Sequence, residues 1–358
     1  MWDTVRHAND VCDVLLPANV KQQSSIKTHA SSSSLANKVK FQISKFIINT
    51  QKVDINNASK ADLLYMWGAF PRNTNQKFII ELDNPYVLSY YNIENFRRNK
   101  KKIEENLKKA FKITYLSEAA KNHTLKIFGK DFENKSFVSY PYMEANYQKN
   151  NRNNNIVNFI FVGLNSRSKG GDELLEAFSN IEDTNIRLTF ISNLSNKKIE
   201  KYTKDSRITI LPPQPREILL KEIYPKMDVM VFPSFYESFG VVLLEALSFG
   251  MGLISINTYA TPEIINNGYN GVLMHHPIIT PSLYNNKDII CCVNLRFEDF
   301  YDRYMNNNEF YYGLYSEIKD ALKIGIREYK SWQKNSIELF ENKFSPQIWS
   351  KNFKNILE

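Results

Sequence analysis

The sequence predicts an α/β protein with two domains, one built around a parallel β-sheet and the other a second, smaller α/β unit. Its 358 residues are enough for two domains, since one domain takes about 150 residues. Apolar runs of strand length alternate with helical stretches of about ten residues along much of the chain. Hydrophobic residues make up 43% of the chain and charged residues 23%, which is typical of soluble globular proteins and excludes a fibrous or largely disordered chain.

The cysteine content and the N-terminus indicate a reducing, cytoplasmic compartment. Three cysteines, Cys12, Cys291 and Cys292, are too few for a disulfide framework or a four-ligand zinc site. Charged residues near the N-terminus interrupt the apolar core that a signal peptide needs. The longest apolar stretch, 241–256, contains Glu245 and is too short to span a membrane.

The first domain is predicted over residues 1–150. Short apolar cores with strand or helix patterns occur at 60–70, 77–85, 113–122 and 135–143. The serine run at 31–34 is typical of a loop. The polar run QKNNRNNN, residues 148–155, has no apolar period and marks the boundary between the domains.

The second domain is predicted over residues 151–330. Its predicted strands are 156–163, 186–192, 207–211, 228–234 and 252–256, and its predicted helices are 171–181, 216–227 and 241–249. Strands that are apolar on both faces need a parallel sheet covered by helices on both sides, which predicts a Rossmann-like domain. Residues 331–358 are predicted to form two helices, broken at Pro346, that cross back to the first domain.

Glycine is concentrated in the second domain. Eight of the 12 glycines lie between residues 163 and 271, whereas the first 150 residues contain only Gly68 and Gly129. Glycine allows tight turns and close approach of the backbone to a ligand. We therefore expect the second domain to build the functional site.

One candidate site lies in PSFYESFGVVLLEALSFG, residues 233–250. Glu237 falls in a turn after a strand, and Glu245 lies two turns into the following helix. The turn 238–240 begins this helix, where free N–H groups and the helix dipole favour a phosphate. The spacing also fits a helix-start glutamate and a solvated helical glutamate, but Glu245 is embedded in an apolar run and should need a dedicated partner.

A second candidate site is FIFVGLNSRSKGGDELLEAF, residues 159–178. The predicted strand ends at Gly163, the loop carries Arg167 and Lys169, and two glycines open the next helix. Loop cations at the carboxyl end of a parallel strand suit a diphosphate, and a solvated loop with turn glycines is the alternative. The segment is neither a GxGxxG nor a Walker sequence, which argues against nicotinamide and P-loop sites.

In this order, the motifs resemble those of retaining nucleotide-sugar glycosyltransferases of the GT-B fold, specifically glycosyltransferase family 4. The resemblance covers residues 60–275. It rests first on a strand that ends in VG and is followed by a basic loop ending in KG, residues 161–170, and on a PSxxExFGxxxxEA signature, residues 233–246. It rests also on a strand that follows a glycine, residues 250–256, and on a PE turn at 261–263 that is followed by NG at 270–271. The resemblance implies two Rossmann-like domains that face a cleft holding the active site.

The resemblance also implies roles for the matched residues. Lys169, together with Arg167, would neutralise the leaving diphosphate. Glu237 would bind hydroxyls of the donor sugar, and Glu245 would bind the nucleotide ribose. The other implied donor-binding residues are Gly163, Ser238, Phe239, Gly240 and Val241.

The chain departs from the family pattern at three places. An arginine follows VG in the family, but this chain has Leu164 there, with Arg167 as a nearby substitute. Asp83 replaces the histidine that the family places at the end of a first-domain strand, and it is the expected contact of that domain. The first 59 residues contain no glycine, which predicts a shortened N-terminal domain. The first-domain histidines are expected to be structural or solvated; they are His7, His29 and His123.

The chain carries a net charge of +8, which favours anionic partners. Residues 92–112 contain eight Lys and Arg residues against three Glu residues, a net charge of +5. This stretch fits a solvated helical face, or a peripheral contact with an anionic membrane through 97–112, where each basic residue contributes about 1 kcal/mol. The sequence contains neither an aromatic-interleaved groove nor a reading helix, so nucleic acid is not an expected partner.

Together these features predict a retaining glycosyltransferase that needs neither a metal nor a cofactor. The expected donor is a UDP- or GDP-sugar, and the expected acceptor is a hydroxyl of a glycan or a lipid-linked molecule, as in lipopolysaccharide or other cell-surface polysaccharide synthesis. The alternatives are a sugar-nucleotide epimerase of the same fold, a catalytically silent nucleotide-sugar-binding partner of another transferase, and a basic membrane or nucleic-acid binding module. The sequence does not identify the sugar, the base or the acceptor.

Overall fold

The computed structural model describes residues 14–15, 46–53, 62–147, 156–277 and 310–358. Contacts between residues divide the chain into two compact units, Met1–Tyr142 with Pro346–Glu358, and Met143–Ser345. The three cysteines, the predicted loop at 31–34 and the predicted linker at 148–155 lie outside the described residues.

The first unit is built around a parallel sheet. Its strands are β1 (Val14–Leu15), β3 (Leu63–Trp67), β5 (Phe78–Leu82), β6 (Lys112–Tyr115) and β7 (Ser136–Val138), while β2 (Thr50–Lys52) and β4 (Phe70–Arg72) form a separate parallel pair. The order in the sheet is β1-β3-β5-β6-β7, and each neighbouring pair is parallel. All five residues of β5 are buried, as expected for a parallel strand covered on both faces.

Helices α1 (Ile93–Lys109) and α2 (Glu118–Phe128) belong to this unit. The side chain of Asn92 caps α1 by accepting a hydrogen bond from the backbone N–H of Asn95 at 2.8 Å, which satisfies a donor of the first turn. Helix α1 buries Phe96, Ile103 and Leu107. Most of the basic stretch 92–112 is therefore one amphipathic helix whose lysines and arginines face solvent, whereas Lys112 begins β6.

The C-terminal helix Pro346–Leu357 completes the core of the first unit. Trp349, Phe353 and Ile356 pack with a buried cluster that includes Tyr65 and Tyr142. The indole N–H of Trp349 also donates to Ser139 Oγ at 3.1 Å. Burial of these aromatic side chains fixes the helix to this unit.

The chain returns to the first unit at Pro346, a shorter segment than the predicted 331–358. Residues 331–343 are the end of one continuous helix, Tyr312–Lys343, which belongs to the second unit. The helix stays there because it buries side chains along its whole length, including Leu322, Trp332 and Phe340. The break before Pro346 lies where the sequence predicts it, since proline has no backbone N–H and stops a preceding helix.

The second unit contains a six-stranded parallel sheet. Its strands are β8 (Val157–Asn165), β9 (Ile186–Asn193), β10 (Ile208–Leu211), β11 (Val229–Phe232), β12 (Gly252–Ile256) and β13 (Gly271–Met274). The order is β10-β9-β8-β11-β12-β13. Its helices are α3 (Gly171–Ser179), α4 (Asn196–Tyr202), α5 (Arg216–Ile218), α6 (Val241–Ser248), α7 (Thr261–Ile264) and α8 (Tyr312–Lys343).

The strand order reverses between β8 and β11. From β8 the sheet grows through β9 and β10 on one side and through β11, β12 and β13 on the other. In such sheets, the loops at the carboxyl ends of the two strands beside the reversal frame a ligand crevice. Both predicted motifs follow these strands. Among the helices that the structure describes, none combines the length and apolarity needed to cross a membrane.

Candidate functional site

The loop after β8 and the loop after β11 contact each other at the carboxyl edge of the sheet. The backbone N–H of Phe235 donates to the carbonyl oxygen of Ser168 at 3.3 Å. Gly170 has φ of 66°, and a Cβ at this position would lie 2.3 Å from the carbonyl oxygen of Pro233. Because only glycine fits such an approach without strain, the KG motif is what lets the two loops meet.

This contact brings Lys169 and Glu237 together. The Lys169 ammonium donates to Glu237 Oε1 and, at 3.1 Å, to the carbonyl oxygen of Tyr236. Ser234 Oγ donates to the same carboxylate oxygen at 3.0 Å. Both members of the ion pair are partly exposed, so a ligand at the loops can reach either of them.

Gly163 and Gly240 shape the backbone beside this pair. A Cβ at Gly163 would lie 3.2 Å from Lys169 Cγ, so the glycine leaves room for the lysine side chain. Gly240 has φ of 89° and immediately precedes Val241, the first residue of α6. Helix α6 therefore begins next to Glu237, and its first N–H groups give that end a partial positive charge.

Ser238 and Phe239 complete the turn before α6. Phe239 is buried, and its ring packs edge-on against Phe344 with centroids 6.5 Å apart. This anchor fixes the turn to the body of the unit. The backbone of the turn and the side chain of Glu237 are then the groups that face the site.

Arg167 lies in the same loop as Lys169 but has a different partner. Its guanidinium donates to Glu173 Oε1 at 2.7 Å, and that oxygen also accepts the backbone N–H of Tyr311 at 3.2 Å. Glu173 is fully buried, and burial raises its pKa while the charge of Arg167 opposes that rise. The guanidinium also lies 5.8 Å from the ring centroid of Tyr311, so Arg167 contacts both Glu173 and Tyr311.

Glu245 has the dedicated partners that its apolar surroundings predict. It is only 6% exposed. Arg216 Nε donates to Oε1 at 2.6 Å, and the Tyr224 hydroxyl donates to Oε2 at 3.4 Å. Burial and the neighbouring carboxylate hold the pKa of Tyr224 well above its usual range. The carboxylate is thus fixed in position at the side of α6.

Asp83 lies in the first unit, just after β5. Its Oδ1 accepts the backbone N–H of Asn84 and its Oδ2 accepts the Tyr91 hydroxyl, each at 2.8 Å. His123 is buried in the same unit, where it packs against the ring of Tyr86, and burial lowers its pKa to about 4. Burial therefore favours the neutral imidazole of His123, whereas His7 and His29 lie outside the described residues.

Comparison with known proteins finds a family that the second unit is similar to. Residues 143–290 match the model of the family described as Glycosyl transferases group 1. Together, the two parallel Rossmann-like sheets have the GT-B fold that the sequence predicts.

Curated relatives of this domain are similar over part of their length. The capsular polysaccharide biosynthesis glycosyltransferase CapM of Staphylococcus aureus is 29% identical over 180 residues, 48% of this chain and 44% of CapM. A D-inositol 3-phosphate glycosyltransferase of Paenarthrobacter aurescens is 28% identical over 130 residues, 33% of this chain and 32% of that protein. The matched stretch thus covers between about a third and less than half of the length of these relatives.

Solved structures share the fold over most of the chain at low identity. Anabaena Alr3699/HepE in complex with UDP and glucose has a TM-score of 0.56 and 13% identity, and the match covers 84% of this chain and 79% of HepE. A glycosyltransferase from Rickettsia africae has a TM-score of 0.58 and 16% identity, with 99% and 95% of the two chains covered.

Sequence reasoning missed several residues that hold the second unit together at its candidate site. They are Glu173, Arg216, Tyr224, Ser234 and Tyr311. Glu173 alone carried a usable signal, since a carboxylate within the buried face of GDELLEAF calls for a cation nearby. The others are revealed only by the meeting of loops that lie far apart in the sequence.

Proposed function

We propose that this chain is a retaining glycosyltransferase that moves a sugar from a nucleotide diphosphate sugar to a hydroxyl of a glycan or lipid-linked acceptor. The observation that carries the proposal is the Lys169–Glu237 pair beside the start of α6. A cation, a helix N-terminus and a carboxylate are the groups that a diphosphate bonded to a sugar requires. The names of CapM and of the UDP complexes of HepE support a UDP-sugar donor and a role in cell-surface polysaccharide synthesis.

In this proposal, the Lys169 ammonium leaves the Glu237 carboxylate and pairs with the diphosphate of the donor. Lys169 and the first N–H groups of α6 then stabilise the negative charge that develops as the diphosphate leaves. The freed Glu237 carboxylate accepts hydrogen bonds from sugar hydroxyls, and Glu245 accepts those of the ribose. Arg167 contributes positive charge from its position against Glu173.

Retention without a covalent nucleophile requires the acceptor hydroxyl to attack the anomeric carbon from the face that the diphosphate leaves. As the bond from that carbon to the diphosphate breaks and the bond to the acceptor oxygen forms, a phosphate oxygen takes the hydroxyl proton, and the site's part is to hold the acceptor there. The cations and the helix N-terminus supply the charge that a divalent metal would otherwise provide, and the proposed reaction needs no metal. Asp83 is the proposed first-unit contact, with its carboxylate held by Asn84 and Tyr91.

A second part of the proposal is a peripheral contact with an anionic membrane through 97–112. Helix α1 exposes several cations to solvent, namely Arg97, Arg98, Lys100, Lys101, Lys102, Lys108 and Lys109. Phe46 is 63% exposed, and its carbonyl oxygen accepts a hydrogen bond from Asn99 of α1 at 3.3 Å. The Arg98 guanidinium lies 5.7 Å from the Phe46 ring centroid. An exposed aromatic ring among cations suits the boundary between lipid headgroups and acyl chains.

The test of the proposed function is turnover of UDP- and GDP-sugars with and without a lipid or glycan extract as acceptor. We expect the nucleotide diphosphate to appear only with acceptor, and proton NMR of the product to show the anomeric configuration of the donor. Conversion of the donor without acceptor would establish the epimerase instead. Nucleotide-sugar binding with no turnover on any extract would establish the silent partner.

A further inference from the structure

Arg216 is an exposed cation at the same edge of the sheet as the donor loops. It is the first residue of α5, and four residues separate it from the end of β10 at Leu211. The connecting loop has the sequence PPQP, residues 212–215, and Gln214 closes it by donating to the carbonyl oxygen of Pro212 at 2.8 Å. Because proline fixes φ, this loop has few conformations to lose and holds Arg216 in place.

Arg216 uses only one of its nitrogens to hold Glu245. Nε donates to Glu245 Oε1 at 2.6 Å, whereas the Arg216 side chain remains 48% exposed and that of Glu245 only 8%. In the part of the chain that the structure describes, Nη1 and Nη2 of Arg216 make no further hydrogen bond. The guanidinium is thus oriented by a buried carboxylate and presents its outer donors to solvent.

We propose that Arg216 determines which nucleotide base the donor carries, and that it selects bases with a carbonyl edge, uracil or guanine, over cytosine or adenine. The inference rests on the proposed function, in which Glu245 binds the ribose. The base is bonded to that ribose, so the outer donors of a guanidinium attached to Glu245 face the nucleoside. Lys169 and Glu237, in contrast, serve the diphosphate and the sugar.

The selection follows from the hydrogen-bonding groups. A guanidinium only donates hydrogen bonds, and its N–H groups form a rigid fork, so it pairs with a carbonyl oxygen and not with an amino group. Uracil presents a carbonyl oxygen at C4 where cytosine presents an amino group. Guanine and hypoxanthine present a carbonyl oxygen at C6 where adenine presents an amino group. An amino group at that position would face the guanidinium donor to donor and make no hydrogen bond with it, which penalises cytosine and adenine.

The test compares nucleotides that differ only at this edge. Dissociation constants of UDP and CDP, and of IDP and ADP, are measured by calorimetry for the full chain and for Arg216→Ala. Within each pair the ribose and diphosphate are the same, so any loss of ribose binding after release of Glu245 cancels in the ratio. We expect the full chain to bind UDP about tenfold more tightly than CDP and IDP more tightly than ADP. Arg216→Ala should bring both ratios close to one.

Two further variants sharpen the result. Lys221→Ala removes another exposed cation of the same segment, one paired with Glu217, and should leave both ratios unchanged. Arg216→Lys keeps the charge but not the fork, and should recover only part of the UDP preference. If the ratios in the full chain are one, or if Arg216→Ala leaves them unchanged, the inference is overturned. If the full chain binds no nucleotide at all, the proposed function fails first.

Discussion

The ammonium of Lys169 donates to the carboxylate of Glu237, a residue 68 positions further along the chain. In the structure, each group neutralises the other at the carboxyl edge of the sheet. When the diphosphate of a donor pairs with the ammonium, the Glu237 carboxylate is therefore freed next to the donor sugar. The pair links binding of the leaving group to recognition of the sugar.

Removal of Lys169 tests this link. We expect Lys169→Ala to lower kcat by about 10²- to 10³-fold, because a transition-state donor to the leaving diphosphate is lost. Steady-state turnover of the donor measures the effect, and thermal unfolding monitors the fold. Lys201→Ala also breaks an ion pair of the second unit, with Glu176, and should retain normal turnover. Equal activity of the two variants would remove Lys169 from the reaction.

The buried Arg167–Glu173 pair predicts a stability effect. Glu173→Ala leaves the enclosed Arg167 guanidinium without its carboxylate, so we expect the free energy of unfolding to fall by about 3–5 kcal/mol. Urea unfolding measures it. In the double variant Arg167→Met with Glu173→Leu, apolar side chains fill the same space, and most of the loss should be recovered. An unchanged stability of Glu173→Ala would contradict the enclosed pair.

Glu81 predicts a pH dependence of stability. This residue is buried in β5, where its Oε1 accepts the Tyr65 hydroxyl at 2.5 Å, and burial raises its pKa to about 7, with Asp83 adding to the rise and the Tyr65 hydrogen bond opposing it. The folded chain therefore keeps this proton after the unfolded chain has released it. The contribution of Glu81 to the free energy of unfolding is on the order of 3 kcal/mol. It is fully present below about pH 4.5 and is lost as the pH rises through 7.

The matched variant for this pH dependence is Glu81→Gln, which keeps the size of the side chain and cannot ionise. Urea unfolding at pH 5 and pH 8 should show wild type and variant close together at the lower pH and the variant more stable at the higher one. His123, whose pKa is lowered to about 4, acts in the opposite direction but cancels in the comparison. The exposed Glu105 provides the control Glu105→Gln, for which the two pH values should give the same difference from wild type.

The exposed face of α1 predicts binding to anionic vesicles. Arg98→Glu with Lys102→Glu should abolish sedimentation with vesicles of phosphatidylglycerol and phosphatidylcholine, because repulsion replaces attraction. Phe46→Ser should weaken the binding that remains at high salt. Lys197→Glu with Lys204→Glu makes the same charge change at exposed positions of the second unit and should sediment normally. Equal sedimentation of the full chain with pure phosphatidylcholine would show that charge does not direct the contact.

Metal chelation tests how the leaving group is neutralised. Turnover should persist in excess EDTA, since Lys169 and the N-terminus of α6 supply the positive charge in the proposed reaction. Turnover that disappears in EDTA and returns with Mg²⁺ or Mn²⁺ would contradict this part of the proposal. The same assay on Lys169→Ala shows whether added metal replaces the ammonium.

The fold was predictable because its parallel strands are buried on both faces. Strands β11 and β12, VMVF and GLISI, are buried throughout and apolar except for Ser255, so their sequence defines both their extent and their surroundings. The glycines at 170 and 240 marked the turns, since both have positive φ. Hydrophobic periodicity and turn residues are properties of short stretches of sequence, so they can be predicted without knowing the rest of the fold.

The partners within the site were not predictable in the same way. The apolar run around Glu245 required a partner but did not show that it is Arg216, which lies 29 residues earlier in a segment with no motif. The sequence placed Arg167 and Lys169 in one loop, but their side chains pair with Glu173 and Glu237 respectively. Such choices depend on which loops meet at the sheet edge and on side-chain direction.

The packing of Trp349 and Phe353 against Tyr65 has a consequence for synthesis of the protein. The segment that closes the core of the first unit is translated after all of the second unit. The contiguous residues 143–345 of the second unit are therefore all synthesised before the first unit receives its last segment, residues 346–358. Until that segment is added, the nascent first unit exposes the aromatic surface that the segment will cover, and it is the part of the chain that needs protection from aggregation by chaperones.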